Sequence, residues 1–351
     1  MALVLNSNKP VSTSTSLNYL DLLSADQLKQ NYIDRVLKDG GVIVDDNYLT
    51  AICSFLATNK LAGKVHTIAS ASLGIKYNSS TKAVSKLYNL VSDFDLVPEE
   101  YKIVNNKVVV QELTAPILYV EKTPTNRAFC YYNLSGSANA LFGAGRALTQ
   151  KNQYACTNKC LSVDIVAELP YPTSFVSQPS SFSVFSFANN DNTYNRALAG
   201  SVTNTSDGIS NTSRVSANTI AQDNNSSSAN TITSASQTGN RALLVKKDAV
   251  LHYYCSPIFE EKLATSVKQS ATSDVYTDTI TQNAENLTNA LKEQRNFTLN
   301  SSFYADGGAL AYTNWRIYDV FVMRDLNNFN QSKLVRDFIE SQLKAFYGVR
   351  S

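Results

Sequence analysis

The chain has 351 residues, of which 43% are hydrophobic and only 17% are charged. That length suits one large domain or two ordinary ones, and a surface so poor in charge must consist mostly of neutral polar side chains. The formal net charge of +2, with lysine and arginine spread along the chain, excludes a strongly basic nucleic-acid binder, which needs surplus cations to displace phosphate counterions.

Membrane, secretion and metal signals are weak. No run of about 18 apolar residues occurs, so we predict no membrane-spanning helix. The first residues lack the charged start and apolar core of a secretory signal, and we expect none. The five cysteines are irregularly spaced and do not form a disulfide framework. Cys156 and Cys160 could be bridged or could bind metal, but we expect reduced thiols, no metal and no other cofactor.

Residues 1–23 form the first of three predicted segments, an extended arm. The arm has no periodic face, yet Leu3, Val4 and Leu5 make it too apolar for a solvated tail. An extended segment of this kind can gain main-chain hydrogen bonds on a neighbouring sheet or groove, so we expect an attachment element. The alternative is a strand or cover on its own domain.

Residues 24–95 form the second predicted segment, a helical preface. Ser24 and Gln27 have the spacing of a capping box, which marks the start of a helix. Apolar residues then recur at helical spacing up to the Gly40-Gly41 pair. Four helices are predicted: one from Ser24 to Gly40-Gly41, one from Asp45-Asp46 to near Gly63, and two shorter ones at residues 65–73 and 82–91.

Residues 96–351 form the third predicted segment, which is rich in strands. Two β-rich runs flank Asn105-Asn106, a pair typical of a two-residue hairpin turn. Many short strands without crossover helices predict antiparallel sheets in a sandwich or barrel. Further strands are predicted at residues 117–121, 127–132, 162–169, 181–188, 241–246, 250–255, 296–300 and 316–323.

Two polar stretches interrupt these strands. Residues 201–240 are dominated by serine, threonine and asparagine, a composition that fits either a flexible segment or short exposed strands, for example at residues 213–217 and 230–233. We favour the strands, because the few β-branched residues are spaced like inward positions. Residues 134–150 contain a glycine-rich sequence without a nucleotide-binding fingerprint, so Gly143 and Gly145 are interpreted as turn residues.

The chain ends on a strand followed by an amphipathic helix. Asn330 is the predicted N-cap, and Gly348 lies where a C′ glycine would stop the helix. Replacing Phe338 on the apolar face by alanine is expected to cost roughly 3 kcal/mol or more. The predicted apolar face comprises Leu334, Val335, Phe338, Ile339, Leu343 and Phe346.

Residues with catalytic chemistry are few. His66, in a predicted helix, and His252, in a predicted strand, are both interpreted as structural, and no catalytic residue is predicted. Asp164 and Glu168 are four apart on a predicted strand and therefore share a face, as a glycosidase carboxylate pair would. The same pattern is equally typical of a half-exposed strand.

Aromatic side chains beside amides and carboxylates suggest a binding surface. Tyr194 lies close to Asn189 and Asp191, and Tyr312 lies close to Trp315. Aromatic rings that stack on sugars, next to polar groups that hold hydroxyls, are typical of glycan sites, but wet protein interfaces have the same composition. These five residues are the candidate glycan or protein surface, although for Trp315 a core aromatic at a strand start is the favoured interpretation.

The close of the chain resembles the concanavalin-like jelly rolls of the laminin-G/lectin type. In that family the last sandwich strand is followed by a short helix ending in a Tyr-Gly pair, and here the matching pieces are 315–323, 331–346 and Tyr347-Gly348. The stretch 295–322 is similar to the last two strands and their loop, and SFSVFSFANN is similar to a central strand. The Glu, Asp and Glu strand motif of the glucanase branch is absent from the sequence, which argues against hydrolysis.

The predicted preface resembles the segment that precedes such sandwiches in structural proteins of tailed bacteriophages, through the sequence NKLAGKVHTIASASLGIKYNSSTKAVSKLYNLVSDFDLV. The resemblance implies a mainly β, concanavalin-like antiparallel sandwich with an N-terminal helical preface and a C-terminal helix that covers an apolar edge. It implies a non-enzymatic virion protein, such as a capsid decoration, head fibre or tail fibre subunit. The alternatives are a carbohydrate-binding module and a glycoside hydrolase or polysaccharide lyase of the same fold.

The partners expected from this resemblance are other virion proteins, further copies of the chain and a bacterial surface glycan. Nucleic acid and inserted membrane are not expected as partners. The expected location is the virion, assembled in the bacterial cytoplasm.

Overall fold

A computed structural model describes most of the chain in stretches separated by gaps. The described residues are 19–104, 107–113, 115–123, 127–132, 144–150, 161–168, 180–188, 196–206, 213–222, 231–232, 243–245, 250–258, 262–269, 275–281, 296–299 and 316–346. The predicted arm therefore lies outside the described residues up to residue 18, and the division of the chain into arm, preface and sandwich stays a prediction.

Helices lie at the two ends of the described chain. They are α1 (Ala25–Lys38), α2 (Asp46–Thr58) and α3 (Phe329–Phe346), with short 3-10 turns at Tyr19–Leu22 and Ala62–Lys64. None of these described helices is long and apolar enough to cross a membrane. Between residues 100 and 320 all the regular elements that the structure describes are strands, as the sequence predicts.

The other regular elements in the described stretches are strands. They are β1 (Val42–Ile43), β2 (Val65–Ser70), β3 (Gly74–Tyr77), β4 (Val84–Leu87), β5 (Val97–Val104), β6 (Lys107–Gln111), β7 (Ile117–Val120), β8 (Phe129–Tyr132), β9 (Ala144–Gln150), β10 (Ser162–Glu168), β11 (Ser180–Ala188), β12 (Arg196–Ser206), β13 (Ser213–Gln222), β14 (Thr231–Ile232), β15 (Leu243–Val245), β16 (Val250–Ile258), β17 (Lys262–Gln269), β18 (Val275–Thr281), β19 (Asn296–Leu299) and β20 (Arg316–Met323).

The strands form two large antiparallel sheets and one small one. The first large sheet has the order β18-β17-β16-β10-β20-β8-β7, with β2 also paired to β20. The second has the order β14-β13-β12-β11-β19-β9-β5-β6, with β15 paired to β13. The small sheet has the order β1-β3-β4. Non-consecutive neighbours such as β10 and β20 show that long connections bring distant parts of the chain together.

The two large sheets face each other and form a sandwich. The His66 ring on β2 of the first sheet packs edge-on against Phe187 of β11 and Phe297 of β19 in the second, at centroid distances of 5.5 and 6.2 Å. All three side chains are buried. The predicted fold class, a mainly β antiparallel sandwich with N-terminal helices and a C-terminal helix, is confirmed.

The three helices cover the other face of the first sheet. One hydrophobic cluster joins Val36 of α1, Ile52 of α2 and Val335 of α3 to Ile68 of β2 and Phe321 of β20, all buried. The C-terminal helix therefore covers a sheet face, whereas the sequence predicts cover for an edge. Because this sheet is covered on both faces, its central strands are shielded from water. Polar side chains on these strands therefore need hydrogen-bond partners within the protein.

Helix α1 begins and ends at local sequence signals. The Ser24 side chain accepts a hydrogen bond from the Gln27 backbone N–H, and the Gln27 side chain accepts one from the Ser24 backbone, which confirms the predicted capping box. The chain leaves the helix through Gly40, whose φ of +76° lies in the left-handed region that favours glycine. Gly41 has no room for a Cβ atom, which would lie 2.5 Å from the Tyr88 ring.

Replacing Ser24 by alanine should lower the free energy of unfolding by about 1 kcal/mol, because the first turn of α1 loses its side-chain acceptor. Urea denaturation followed by circular dichroism measures the change. Ser85→Ala, at an exposed serine on β4, is the matched control and should change little. Equal effects of the two substitutions would contradict a capping role for Ser24.

Two predicted helices are wrong. Residues 65–73 contain β2, and residues 82–91 contain β4. The backbone of β2 pairs with β20, more than two hundred residues away, so a nonlocal partner outweighs the local apolar spacing. The predicted second helix is confirmed, with Asp45 accepting from the Tyr48 N–H as its N-cap.

The predicted strands are confirmed, most of them with shifted ends, since each of the eight ranges overlaps a strand of the structure. The hairpin strands pair with Val104 opposite Lys107, the register that a two-residue connection requires, although Asn105 and Asn106 themselves lie outside the described residues. Strands β12, β13 and β14 confirm strands in the serine-rich stretch. Gly145, predicted in a turn, lies in β9 opposite Tyr101; Gly143 lies outside the described residues.

Helix α3 starts earlier than predicted. The N-cap is Asn328 rather than Asn330. Its side-chain oxygen accepts a hydrogen bond from the Gln331 backbone N–H at 3.2 Å. Val335 and Ile339 are buried as predicted, but Leu334 is 45% exposed because it lies at the margin of the packed face. Gly348 and the side chains of Leu343 and Phe346 lie outside the described residues.

Candidate functional site

The predicted glycan or protein surface lies outside the described residues. This applies to all five of its members: Asn189, Asp191, Tyr194, Tyr312 and Trp315. Cys156 and Cys160 also lie outside them. Within the described stretches, no group of three or more His, Cys, Asp or Glu side chains is placed to hold a metal ion. Of the thiols, Cys53 and Cys130 are free and buried, and burial raises the pKa of each well above its usual range.

A buried polar cluster lies under α3, centred on Asp164 of β10. The His252 Nε2 atom on β16 lies 2.9 Å from one Asp164 carboxylate oxygen, and the Ser162 hydroxyl donates to the other at 2.6 Å. All three side chains are buried. Glu340 of α3 approaches from above, with its carboxylate 4.0 Å from His252 Nδ1.

This arrangement does not build a serine nucleophile. Ser162 bonds to Asp164 and not to the imidazole, so the imidazole is not placed to take its proton. Burial raises the pKa of Asp164, while the contacts with His252 and Ser162 oppose that rise. The half-exposed strand suggested for this sequence is wrong, because residues 161–167 are all buried and Val166 packs in the cluster that contains the helices. The Glu168 side chain lies outside the described residues.

A second buried cluster connects α2 to the first sheet through Arg127. Its guanidinium lies over the Tyr48 ring, 3.8 Å from the centroid, and 3.5 Å from the carboxylate of Asp319 on β20. The Tyr48 hydroxyl donates to Asp319 at 2.9 Å, and Arg127 Nε donates to the Ser72 hydroxyl at 3.2 Å. The Arg127 and Asp319 side chains are 1% and 0% exposed. This is a desolvated ion pair in the core.

Burial and the Asp319 carboxylate raise the pKa of Tyr48, so its hydroxyl stays protonated and remains a donor. At the outer end of the cluster the Lys122 ammonium binds Asp45. Burial tends to raise the pKa of Asp45, but its bonds to Lys122 and to the Tyr48 N–H outweigh burial and lower it.

A third cluster lies near the surface at the end of α1. Asp39 accepts hydrogen bonds from the Tyr88 hydroxyl at 2.7 Å and from the Lys86 ammonium at 2.9 Å, and these contacts lower the pKa of its carboxyl well below the usual range. Lys76 donates to the Asp39 backbone oxygen at 2.6 Å. Cations at a helix C-terminus interact favourably with the exposed carbonyls, so these contacts fasten α1 to the small sheet.

A fourth cluster joins the two large sheets. The Thr67 hydroxyl on β2 lies 2.8 Å from the side-chain oxygen of Gln150 on β9 and 2.8 Å from His66 Nδ1. The Gln150 amide nitrogen donates to the Phe94 backbone oxygen at 2.6 Å, which orients its carbonyl oxygen toward Thr67. Asn89 holds the backbone on either side of Thr67, donating to His66 O at 2.8 Å and accepting from the Ile68 N–H at 3.1 Å.

His66 should make the protein acid-sensitive. Burial, with a smaller effect of Arg324, lowers its pKa to about 3, against roughly 6.5 for a free histidine. The folded state therefore disfavours the charged ring. The neutral ring's contribution to the free energy of unfolding is complete above about pH 6.5 and is lost progressively as the pH falls toward 3. The loss reaches about 2 kcal/mol by pH 5.

The measurement is chemical denaturation of the wild type and of His66→Asn between pH 7.5 and about 4. Asparagine keeps a donor for Thr67 but does not titrate in this range. The variant is expected to be less stable at neutral pH and to lose less stability on acidification. Parallel pH profiles for the two proteins would show that His66 is not the titrating group.

Sequence reasoning missed Arg127, Asp319 and Gln150. For the first two a signal was present: Asp319 interrupts the apolar run from Ile317 to Met323, and a charge in such a run indicates a buried partner. Gln150 carries no comparable signal, because an amide between polar neighbours looks like a surface residue. The predicted structural roles of His66 and His252 agree with their burial and hydrogen bonds, although His66 lies in a strand and not in a helix.

These features define an antiparallel β-sandwich protein with a helical layer on one sheet and polar clusters inside its layers. No protein-family model matches the chain, and no curated protein matches it. A structure of botulinum neurotoxin type C, whose cell entry depends on interaction with two ganglioside molecules, matches with a TM-score of 0.43 and 11% identity over 80% of this chain and 51% of that chain.

An arabinofuranosidase complexed with arabinofuranosyl-alpha-1,2-xylobiose matches with a TM-score of 0.41 and 8% identity, over 74% of this chain and 51% of that one. A botulinum neurotoxin DC binding domain in complex with rat synaptotagmin II has a TM-score of 0.34 and 10% identity, over 78% and 52% of the two chains. The chain thus spans about half the length of these solved structures.

Proposed function

We propose that the protein is a non-enzymatic structural protein of a tailed-bacteriophage virion that displays its β-sandwich on the particle. The proposal that the protein is not an enzyme rests on one observation. The titratable side chains that cluster in the described sandwich are buried and paired with one another. Asp164 with His252 and Arg127 with Asp319 are each at most 1% exposed, so a substrate cannot reach these groups without unfolding of the helical layer. Such clusters orient and fasten layers.

The virion part is supported by the sequence resemblance of residues 59–97 to the segment that precedes such sandwiches in phage structural proteins, together with the resemblance of the chain's end to concanavalin-like jelly rolls. A surface with few charges suits a protein packed among many copies, since like charges would repel at high local density. The partners in this proposal are other virion proteins and further copies of the chain, and the location is the virion.

The test uses purified particles of the phage that carries this chain. Quantitative mass spectrometry should find the protein at a fixed copy number per particle. Deleting residues 2–16, within the predicted arm, should leave the purified chain folded by circular dichroism but absent from particles. A chain missing from wild-type particles overturns the virion role. A deleted chain that is incorporated normally overturns the role of the arm, and one that fails to fold shows the arm to be part of its own domain.

Glycan binding is the second candidate, supported by the aromatic and amide set of Asn189, Asp191, Tyr194, Tyr312 and Trp315. A glycan array with the full-length chain tests it, and Trp315→Ala and Tyr312→Ala should abolish binding while leaving the melting temperature unchanged. Tyr19→Ala, at a tyrosine that is 69% exposed elsewhere, is the matched control. Binding that survives both substitutions would remove these residues from the site.

The glycosidase alternative depends on Asp164 and Glu168. Asp164 is enclosed between β16, β20 and α3, where it cannot contact a glycosidic bond. The test is to measure glycan hydrolysis by the wild type and by Asp164→Asn. Activity that the wild type has and the folded variant lacks would support a glycosidase over a non-enzymatic protein.

A further inference from the structure

One end strand of the second sheet is uncovered within the described part of the chain. Strand β6 (Lys107–Gln111) pairs with β5, and no described strand pairs with its outer edge. The three central residues of β6 are valines, and Val110 is 46% exposed. An exposed apolar edge of this kind is a ready template for pairing with another strand.

The other end strands of the two large sheets are protected in ways that β6 is not. Strand β7 is covered by the loop after β3, where the Tyr119 N–H donates to the Lys82 carbonyl at 2.9 Å. Strand β18 carries Asp278 at its centre, and β14 has only two residues. Charge, shortness and bulges are devices that prevent edge-to-edge pairing. Strand β6 has no charge among its valines, and its register with β5 has no bulge.

The hairpin with β5 determines which main-chain groups of β6 point outward. Val104 and Lys107 flank a two-residue connection and therefore exchange hydrogen bonds with each other. Hydrogen-bonded and non-hydrogen-bonded pairs alternate along an antiparallel ladder, so the main-chain groups of Val109 also point toward β5. Those of Val108 and Val110 point away from β5, toward the position of a partner strand.

We propose that β6 is an interface between copies of this chain, where two β6 strands pair antiparallel across a two-fold axis and join their second sheets. The inference rests on the proposed function, because it names the surface through which further copies act as partners. An axis at Val109 places Val108 opposite Val110 of the second copy, so the outward groups of both strands meet. Lys107 then lies opposite Gln111, and no like charges face each other.

This register makes the fullest use of the strand. With the axis at Val109 all of β6 lies opposite its copy, whereas an axis at a neighbouring residue shortens the overlap. Pairing also shields Val110, which is otherwise an exposed apolar side chain on an edge. The low formal net charge of +2 lets two copies approach without strong repulsion.

The experiment is sedimentation velocity of the purified full-length chain over a concentration series, with a cysteine test of the register. We expect a monomer–dimer equilibrium. Val109→Cys should form a disulfide-linked dimer on mild oxidation, because directly opposite residues of a non-hydrogen-bonded pair have Cα atoms about 4.5 Å apart. Val108→Cys and Val110→Cys should not, since neither residue lies opposite its own copy. A monomer at every concentration overturns the proposal, as does an equal disulfide yield from all three variants.

Two substitutions should dissociate the dimer and leave the chain folded. Val108→Pro removes an outward N–H that β5 does not use, and edge strands tolerate proline at such positions. Val110→Lys places a charge on the exposed edge. Val42→Lys, at a valine that is 42% exposed on the small sheet, is the matched control and should keep the dimer. A dimer that persists in folded Val110→Lys overturns the proposal, even if Val108→Pro fails to fold.

The failure of this interface is distinguishable from the failure of the virion role. Particles that lack the chain overturn the virion role, whereas a purified chain that stays monomeric overturns the interface. The predicted arm is the other segment of this chain that could occupy the edge. Loss of the dimer on deletion of residues 2–16, with no disulfide in Val109→Cys, would identify the arm as the occupant and overturn the pairing of β6 with its copy.

Discussion

Replacing Arg127 by methionine should lower the free energy of unfolding by about 3–5 kcal/mol, because it leaves the Asp319 carboxylate buried without its counter-charge. The pair has no access to water that could compensate, with side-chain exposures of 1% and 0%. The substitution also removes the guanidinium from the Tyr48 ring and from the Ser72 hydroxyl. Guanidinium chloride denaturation, followed by circular dichroism, measures the effect.

The double variant Arg127→Met/Asp319→Leu separates the charge effect from packing. Removing both partners eliminates the uncompensated carboxylate, so the double variant should be more stable than Arg127→Met alone. Lys29→Met, which breaks the exposed pair with Asp46, is the control and should cost no more than about 1 kcal/mol. A small effect of Arg127→Met, comparable to this control, would contradict a role for the ion pair in fastening α2 to the sheet.

Elements defined by nearby residues could be predicted from the sequence. The start of α1 depends on Ser24 and Gln27, three positions apart, and its end on Gly40. The start of α2 likewise depends on Asp45 and Tyr48. Such capping signals can be identified without knowledge of the tertiary structure, because both partners of each contact lie within the same turn of the helix.

Elements defined by distant residues could not be predicted in this way. Residues 65–70 have apolar side chains at helical spacing, but they form β2 because the edge of β20 is available to pair with them. The Arg127 cluster draws on α2, the segment before β8 and β20, and the hydrogen bond between Thr67 and Gln150 joins β2 to β9. A single sequence gives the residue types at these positions but not which of them meet.

Burial on both faces explains the misinterpretation of β10. Asp164 and Val166 alternate with Val163 and Ile165, a pattern that normally places the polar residue in solvent. Here α3 covers the face that carries Asp164, and His252 satisfies the carboxylate. The alternation in β10 therefore distinguishes two faces that are both buried, one of them under α3. The sequence does not show this, because it does not show where the C-terminal helix packs.

Replacing Phe338 by alanine should destabilise the protein by about 3 kcal/mol, at the lower end for a phenylalanine because the side chain is only partly buried. Its ring stacks on Phe55 of α2, with centroids 4.2 Å apart and planes 13° apart, and meets Phe321 of β20 edge-on at 6.5 Å. One side chain of α3 thus contacts both the preceding helical layer and the sheet. Its loss removes apolar contact and two ring interactions.

Leu334→Ala on the same helix is the matched control for Phe338→Ala. Leu334 is 45% exposed, so Leu334→Ala should lower the free energy of unfolding by well under half as much as Phe338→Ala. Both substitutions introduce alanine into the same helix and change helix propensity only slightly. Both variants are compared by thermal and guanidinium denaturation, with near-ultraviolet circular dichroism reporting the aromatic packing. If the two substitutions have equal effects, or if Phe338→Ala leaves the melting temperature unchanged, then α3 does not pack on the sandwich through Phe338. The large effect expected of Phe338 follows from its position where α2, α3 and β20 meet, since a cavity there loosens three elements at once.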